Sequence, residues 1–239
     1  MRKSTRSLRP ILALASCLAG HGACGSPPPP KAPAPVSREL PPSRPAMKMA
    51  SELGTIDPGT VKKSFARLDD KFAVCQTRGI EHISVLAGTA KFFLRIGSDG
   101  AAKWAYLEDS DIGDAETERC LVRVVMDAQW PQPDGGDAEV RYSLELALNA
   151  QRPPNDWPAD KVTSAIARQT SAIDRCKQGS SATFRATLYV GPGGRVLTAG
   201  IATSSREGVD KSECLEKVLL KLHGLPTPGS WPAKVSFGL

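Results

Sequence analysis

Four cysteines, Cys75, Cys120, Cys176 and Cys214, carry most of the chemistry open to the body of this chain. Cysteine can exchange disulfides, ligate a metal or staple a small fold, and spacing separates these roles. The pairs Cys75/Cys120 and Cys176/Cys214 lie 45 and 38 residues apart, with no Cys-x-x-Cys that would lower a thiol pKa, so a thiol-disulfide oxidoreductase is the weakest alternative. No histidine stands near any of the four in a ligand-like spacing, and neither a metal nor a cofactor is expected. Two structural disulfides, Cys75–Cys120 and Cys176–Cys214, are the simplest pairing, each closing a loop that chain entropy values at about 4 kcal/mol as an upper guide.

The other reactive groups are sparse. His21, His82 and His223 are the only histidines, and they hold no common position, so no Ser-His-Asp relay is supported. The acidic run Glu108-Asp109-Ser110-Asp111-Ile112-Gly113-Asp114 lacks the Asp-x-Asp-x-Asp-Gly spacing of a calcium loop. It suits a helix start instead, with Ser110 or Asp111 as the cap and Asp114, Glu116 and Glu118 favouring the positive helix end. No catalytic residue is expected, and the chain reads as a non-enzyme.

The elements that must position the cysteines come in two copies. From Ile96 to Cys120 the chain aligns without a gap on Val190 to Cys214, and Val61, Phe65, Phe72 and Cys75 fall on Val162, Ile166, Ile173 and Cys176. In the first copy, helix 1 begins after Asp57-Pro58 and carries the stripe Val61, Phe65, Leu68, Phe72 and Cys75 on one face. Phe92, Leu94 and Ile96 alternate with Phe93 and Arg95, as Ala186, Leu188 and Val190 do with Arg185, Thr187 and Tyr189; this period marks a half-buried strand with one wet face. Asp99-Gly100 and Gly193-Gly194 turn each hairpin. Leu121, Val124, Val125 and Ala128, matched by Leu215, Val218, Leu219 and Leu222, mark helix 2. Pro131-Gln132-Pro133 and Pro226-Thr227-Pro228 break the chain before strands at 140–146 and 235–239. The fold class predicted is α+β: two tandem two-layer sandwiches, each helix-hairpin-helix-strand with a three-stranded antiparallel sheet, over 56–150 and 157–239.

Upstream, residues 1–24 read as an export signal. Arg2, Lys3, Arg6 and Arg9 precede the apolar run Ile11 to Ala19, and they account for four of the six net positive charges, leaving 6 − 4 = +2. The basic balance therefore belongs mostly to the signal, and nucleic acid is not an expected partner. Leu14-Ala15-Ser16-Cys17 resembles the bacterial lipobox, making Cys17 the expected lipidation site, with Cys24 as the alternative and simple cleavage a third outcome. One acylated cysteine would be the sole membrane anchor. Residues 25–55 are a proline-rich spacer, without periodicity to build a core, and residues 26–46 within it can extend about 60 Å as polyproline II.

The motifs together resemble the TonB-like AgmX/PglI C-terminal domain of envelope proteins from gliding bacteria. The resemblance rests on Cys75, Ile96 to Gly100, Ser110-Asp111-Ile112-Gly113-Asp114, Cys120, Trp130-Pro131-Gln132-Pro133 and Val140 to Leu144. The second copy departs from it: Glu207-Gly208-Val209-Asp210 lacks the Gly-Asp, and Leu225 replaces the aromatic residue. The family implies an envelope setting. The expected function is a lipoprotein, lipid-anchored and facing the periplasm from the inner or outer membrane, that presents both domains for contact with envelope proteins, in a motility or envelope complex. An unpaired sheet edge in each copy is the expected contact surface. The rival is recognition of cell-wall polymer by Trp104 and Tyr189 as exposed aromatics. Residues 76–90 and the acidic turn, which the copies do not share, are the first places to look for recognition.

Overall fold

The local sequence explains where each element of repeat 1 begins. In the computed structural model, which describes residues 53–239, Asp57 caps the first helix by accepting from the Thr60 N–H at 2.6 Å, and Pro58 opens it. This helix, α1 (Pro58–Ala66), is shorter than the stripe predicts. The chain tightens at Arg67-Leu68, where the Leu68 N–H donates to the Phe65 carbonyl at 2.8 Å, and continues as α2 (Asp69–His82). Repeat 2 bends at the same place, between α4 (Asp160–Ala167) and α5 (Thr170–Lys177), where the Gln169 N–H donates to Ile166. The single first helix expected in each copy is therefore two. Even so, Val61, Phe65, Leu68, Phe72 and Cys75 all remain buried, because the bend keeps the stripe facing the sheet.

In repeat 1, β1 (Gly88–Ile96) and β2 (Ala102–Ser110) form the hairpin, α3 (Ala115–Met126) follows, and β3 (Ala138–Leu146) closes a sheet of order β2-β1-β3, antiparallel throughout. Gly100 takes φ +80 at the turn, the left-handed conformation that glycine adopts without strain. Phe92, Leu94 and Ile96 share one core with Phe65, Phe72, Leu121, Val125 and Trp130. Phe65 is its hub, stacked on Tyr142 at 3.8 Å and 4.7 Å from the Trp130 ring. The Trp130 indole N–H donates to Val125 at 3.1 Å, which satisfies its one polar atom.

Repeat 2 differs from expectation by one strand. β4 (Asn155–Asp156) runs parallel to β7 (Ala233–Gly238), so the second sheet has four strands in the order β4-β7-β5-β6, with β5 (Phe184–Val190) and β6 (Val196–Thr203) forming the hairpin. The cause is local: the segment before the first helix lies against the start of the last strand, and Asn155 and Trp157 donate to Pro232 and Lys234 at 2.9 Å. Repeat 1 has a vestige of the same pairing, as bridges from Leu53 to Asp137 and from Thr55 to Asp134. A 3-10 turn (Arg206–Gly208) leads into α6 (Val209–Leu219).

Residues 53–239 belong to one compact unit. The architecture is α+β, with six α-helices and two sheets among the described residues. Among the described residues no helix is long and apolar enough to cross a membrane. The export signal, Cys17, Cys24 and the spacer up to residue 52 lie outside the described residues.

Candidate functional site

Both disulfides have the pairing that the repeat implies. Cys75 of α2 bonds Cys120 of α3, and Cys176 of α5 bonds Cys214 of α6, with Cα separations of 5.7 and 5.6 Å. Each joins the two helices that cover its sheet. Cys75 and Cys176 are buried, whereas Cys120 is half-buried and Cys214 exposed.

The acidic turn does more than cap a helix. The cap is Asp114, whose Oδ2 accepts from the Thr117 N–H at 2.9 Å and its hydroxyl at 2.6 Å; Ser110 and Asp111, expected in that role, do other work. The other Asp114 oxygen accepts from the Thr198 hydroxyl of β6 at 2.6 Å, so one carboxylate both starts α3 and holds repeat 2. One turn on, Glu118 is buried between the repeats. It accepts from the Ser110 hydroxyl at 2.7 Å, the Gly113 N–H at 3.3 Å and the Ile201 N–H of repeat 2 at 3.1 Å. Burial pushes its carboxyl up to about 7, against these three hydrogen bonds, which favour the charged form.

Two glycines permit this approach. At Gly113, φ is +76, and an added Cβ would stand 2.7 Å from Thr187 Cγ2. At Gly200, an added Cβ would overlap both Glu118 carboxylate oxygens. The Gly-Asp of the first copy is thus explained by close contact with the second.

The segment after α2 completes the contact. Ile83, Val85 and Leu86 are buried there, and the Tyr189 ring of β5 joins the repeat 1 core. The Tyr189 hydroxyl accepts from the Ala87 N–H at 3.4 Å and lies within donating distance of the carbonyls of Val85 and Ala87. Burial raises its pKa well above that of a free tyrosine. Lys234 donates to the Ala87 carbonyl at 2.7 Å and pairs with Asp111 at 3.5 Å, while burial pulls its ammonium pKa down. Arg185 meets Asp109 at 3.4 Å and Arg119 meets Glu216 at 2.6 Å. Beneath that last pair runs a cleft of about 820 Å³ between α3 and α6, floored by Ala105, Leu107 and Ile201.

These contacts correct two expectations. The wet face of β5 is largely covered, with Thr187 and Tyr189 fully buried and only Arg185 exposed, because the acidic turn and residues 83–88 lie on it. Tyr189 is accordingly no exposed platform. Trp104 is half-buried, with the guanidinium groups of Arg95 and Arg206 at 5.3 and 4.9 Å from its ring. The two parts singled out for recognition, residues 76–90 and the acidic turn, contribute to the joint between the repeats. His82 closes α2, and His223 lies beyond the end of α6, its Nδ1 3.3 Å from the Lys221 carbonyl oxygen.

A comparison of outward positions across the copies carries the signal for this joint. Where repeat 1 has Arg95 and Tyr106, repeat 2 has Tyr189 and Gly200, an apolar ring and a missing side chain on a face that should be wet.

The joint also determines which sheet edges remain open. The edge strands β2 and β6 lie beside each other without a shared ladder. At the opposite end of the first sheet, β3 is nine residues long and, among the described residues, pairs only with β1 and is met by Leu53–Thr55 only before its first residue. In the second sheet β4 covers the start of the shorter β7. The open edge of β3 is the longest among the described residues. No protein-family model, curated protein or solved structure matches this chain.

Proposed function

We propose that this chain is a non-enzymatic lipoprotein of the bacterial cell envelope, presenting two tandem, disulfide-stapled TonB-like two-layer sandwiches for protein-protein contact. In this reading Cys17, or Cys24, carries the lipid, residues 25–55 space the domains from the membrane, and the partners are envelope proteins. The order of helices and strands within each repeat supports the reading, as does the disulfide that ties each pair of covering helices. One observation carries the contact role: the edge of β3, unpaired among the described residues, is a row of backbone donors and acceptors to which an extended chain can add as a further strand.

Ser143 is exposed near the middle of that edge. Replacing it with proline removes one edge N–H without touching a core side chain. The Ser143→Pro full chain, checked for unchanged melting and intact disulfides, should lose the envelope proteins that the wild-type chain captures. Capture that persists unchanged refutes the edge as the contact surface. Mass spectrometry of the mature N-terminus tests the anchor, with a diacylated Cys17 or Cys24 expected and an unmodified N-terminus opposing it.

A further inference from the structure

We infer that the β3 edge binds a second copy of this chain, strand against antiparallel strand about a two-fold axis at Ser143. This inference rests on the edge reading above and names the occupant. The backbone fixes which groups are available. In an antiparallel strand the N–H and C=O of one residue point to the same side, and the side alternates along the chain. The Asp137 carbonyl faces the free side, because it accepts from the Gly54 N–H at 2.7 Å. Glu139, Arg141, Ser143 and Glu145 therefore also direct their backbone groups outward, while Val140, Tyr142 and Leu144 direct theirs to β1.

Side-chain charge then selects the register. Pairing about Ser143 sets Arg141 opposite the second copy's Glu145, and Glu145 opposite its Arg141, with Tyr142 across Leu144 on the other face. Opposite charges directly across a ladder stabilise it. Pairing about Tyr142 would set Glu139 against Glu145, two like charges. Pairing about Leu144 would put Arg141 against Ala147. Pairing about Val140 also joins Glu139 with Arg141, but it brings Ser143 opposite Asp137, whose carbonyl oxygen Gly54 already holds. Arg141 is prepared for a second carboxylate: its Nε takes Glu108 at 3.0 Å, which leaves its two terminal nitrogens without a partner among the described residues. Glu145 is exposed and makes no ion pair among the described residues. The strand also lacks the proline, lysine and bulge with which proteins usually blunt an open edge. A two-fold contact of this kind is closed and self-complementary.

A Ser143→Cys full chain tests the axis, since the two residues 143 would face each other at about 5.5 Å between Cα atoms, within disulfide reach. Mild oxidation should give a dimer on a non-reducing gel. Arg141→Glu or Glu145→Arg should each cut the yield roughly tenfold, and the two together should recover most of it, because the pairs between copies re-form with reversed sign and only the Glu108 contact is lost. Absence of a dimer overturns the inference, and failure of the double swap to rescue overturns the register. Sedimentation of the unmodified chain in detergent is independent of the new cysteine: a dimer is expected for wild type and a monomer for Ser143→Pro. A monomeric wild type whose captured proteins are still lost in Ser143→Pro gives the edge to another protein and removes only the second copy. Capture unaffected by Ser143→Pro removes the edge reading itself.

Discussion

Replacing Glu118 with glutamine should change stability little in mild acid and stabilise the protein above neutrality. Glu118 is buried at the joint, and its carboxyl is pushed from 4.5 to about 7. A raised carboxyl pKa means that the folded state holds a proton that the unfolded chain gives up earlier. Between pH 4.5 and about 7 the unfolded state binds fewer protons, so stability falls as pH rises through this window and levels off above it. The gap corresponds to about 3 kcal/mol. Glutamine resembles the neutral acid, since its amide can donate to the Ser110 hydroxyl while its carbonyl accepts from Ile201, and only the 3.3 Å bond from the Gly113 N–H is lost. Urea unfolding followed by tryptophan fluorescence, at pH 5 and pH 8, measures the difference between the two proteins and cancels every other titrating group. With a slope of roughly 2 kcal/mol/M, the Glu118→Gln midpoint should lie within about 0.5 M of wild type at pH 5 and exceed it by about 1.5 M at pH 8. A variant less stable than wild type at pH 8 would refute the reasoning, for it would mean that the three hydrogen bonds outweigh desolvation and keep the carboxylate charged.

Three further perturbations follow from the same contacts. Asp114→Ala removes a helix cap and the link to Thr198, and should cost about 1–2 kcal/mol in chemical denaturation, with Asp114→Asn recovering much of it. Tyr189→Phe leaves the ring buried but strips the Ala87 N–H of its partner, so a loss of about 1–2 kcal/mol is expected by urea titration; no loss would mean that the hydroxyl contacts, all at 3.3 to 3.4 Å, contribute little. Replacing either cystine with alanine pairs should cost about 2–4 kcal/mol, and thiol titration of the native chain should find none of Cys75, Cys120, Cys176 and Cys214 reactive.

Apolar periodicity and the repeat made much of this fold legible. The stripe from Val61 to Cys75, the alternation Phe92-Leu94-Ile96 and the glycines of both hairpins report local geometry, and each is found where period and turn chemistry put it. The bend at Arg67 escaped because a stripe survives a small change of axis. β4 escaped because two residues carry no period. The joint was the larger omission. Glu118 reads as one more acid near a helix start, and only the shape of the opposing surface, with Gly200 making room and the Ile201 N–H supplying a donor, buries it. Tyr189 reads as an exposed aromatic for the same reason: alternation assigns a residue to a face, while the packing of the other repeat decides whether that face is wet.

The contact role of the β3 edge is tested most directly by a photo-crosslinking residue placed at Ser143 of the full chain in intact cells, with Lys161, exposed on α4, as control. The account predicts a discrete protein adduct at 143, whether a second copy or another envelope protein, and none at 161. No adduct at 143, or equal adducts at both positions, would contradict it.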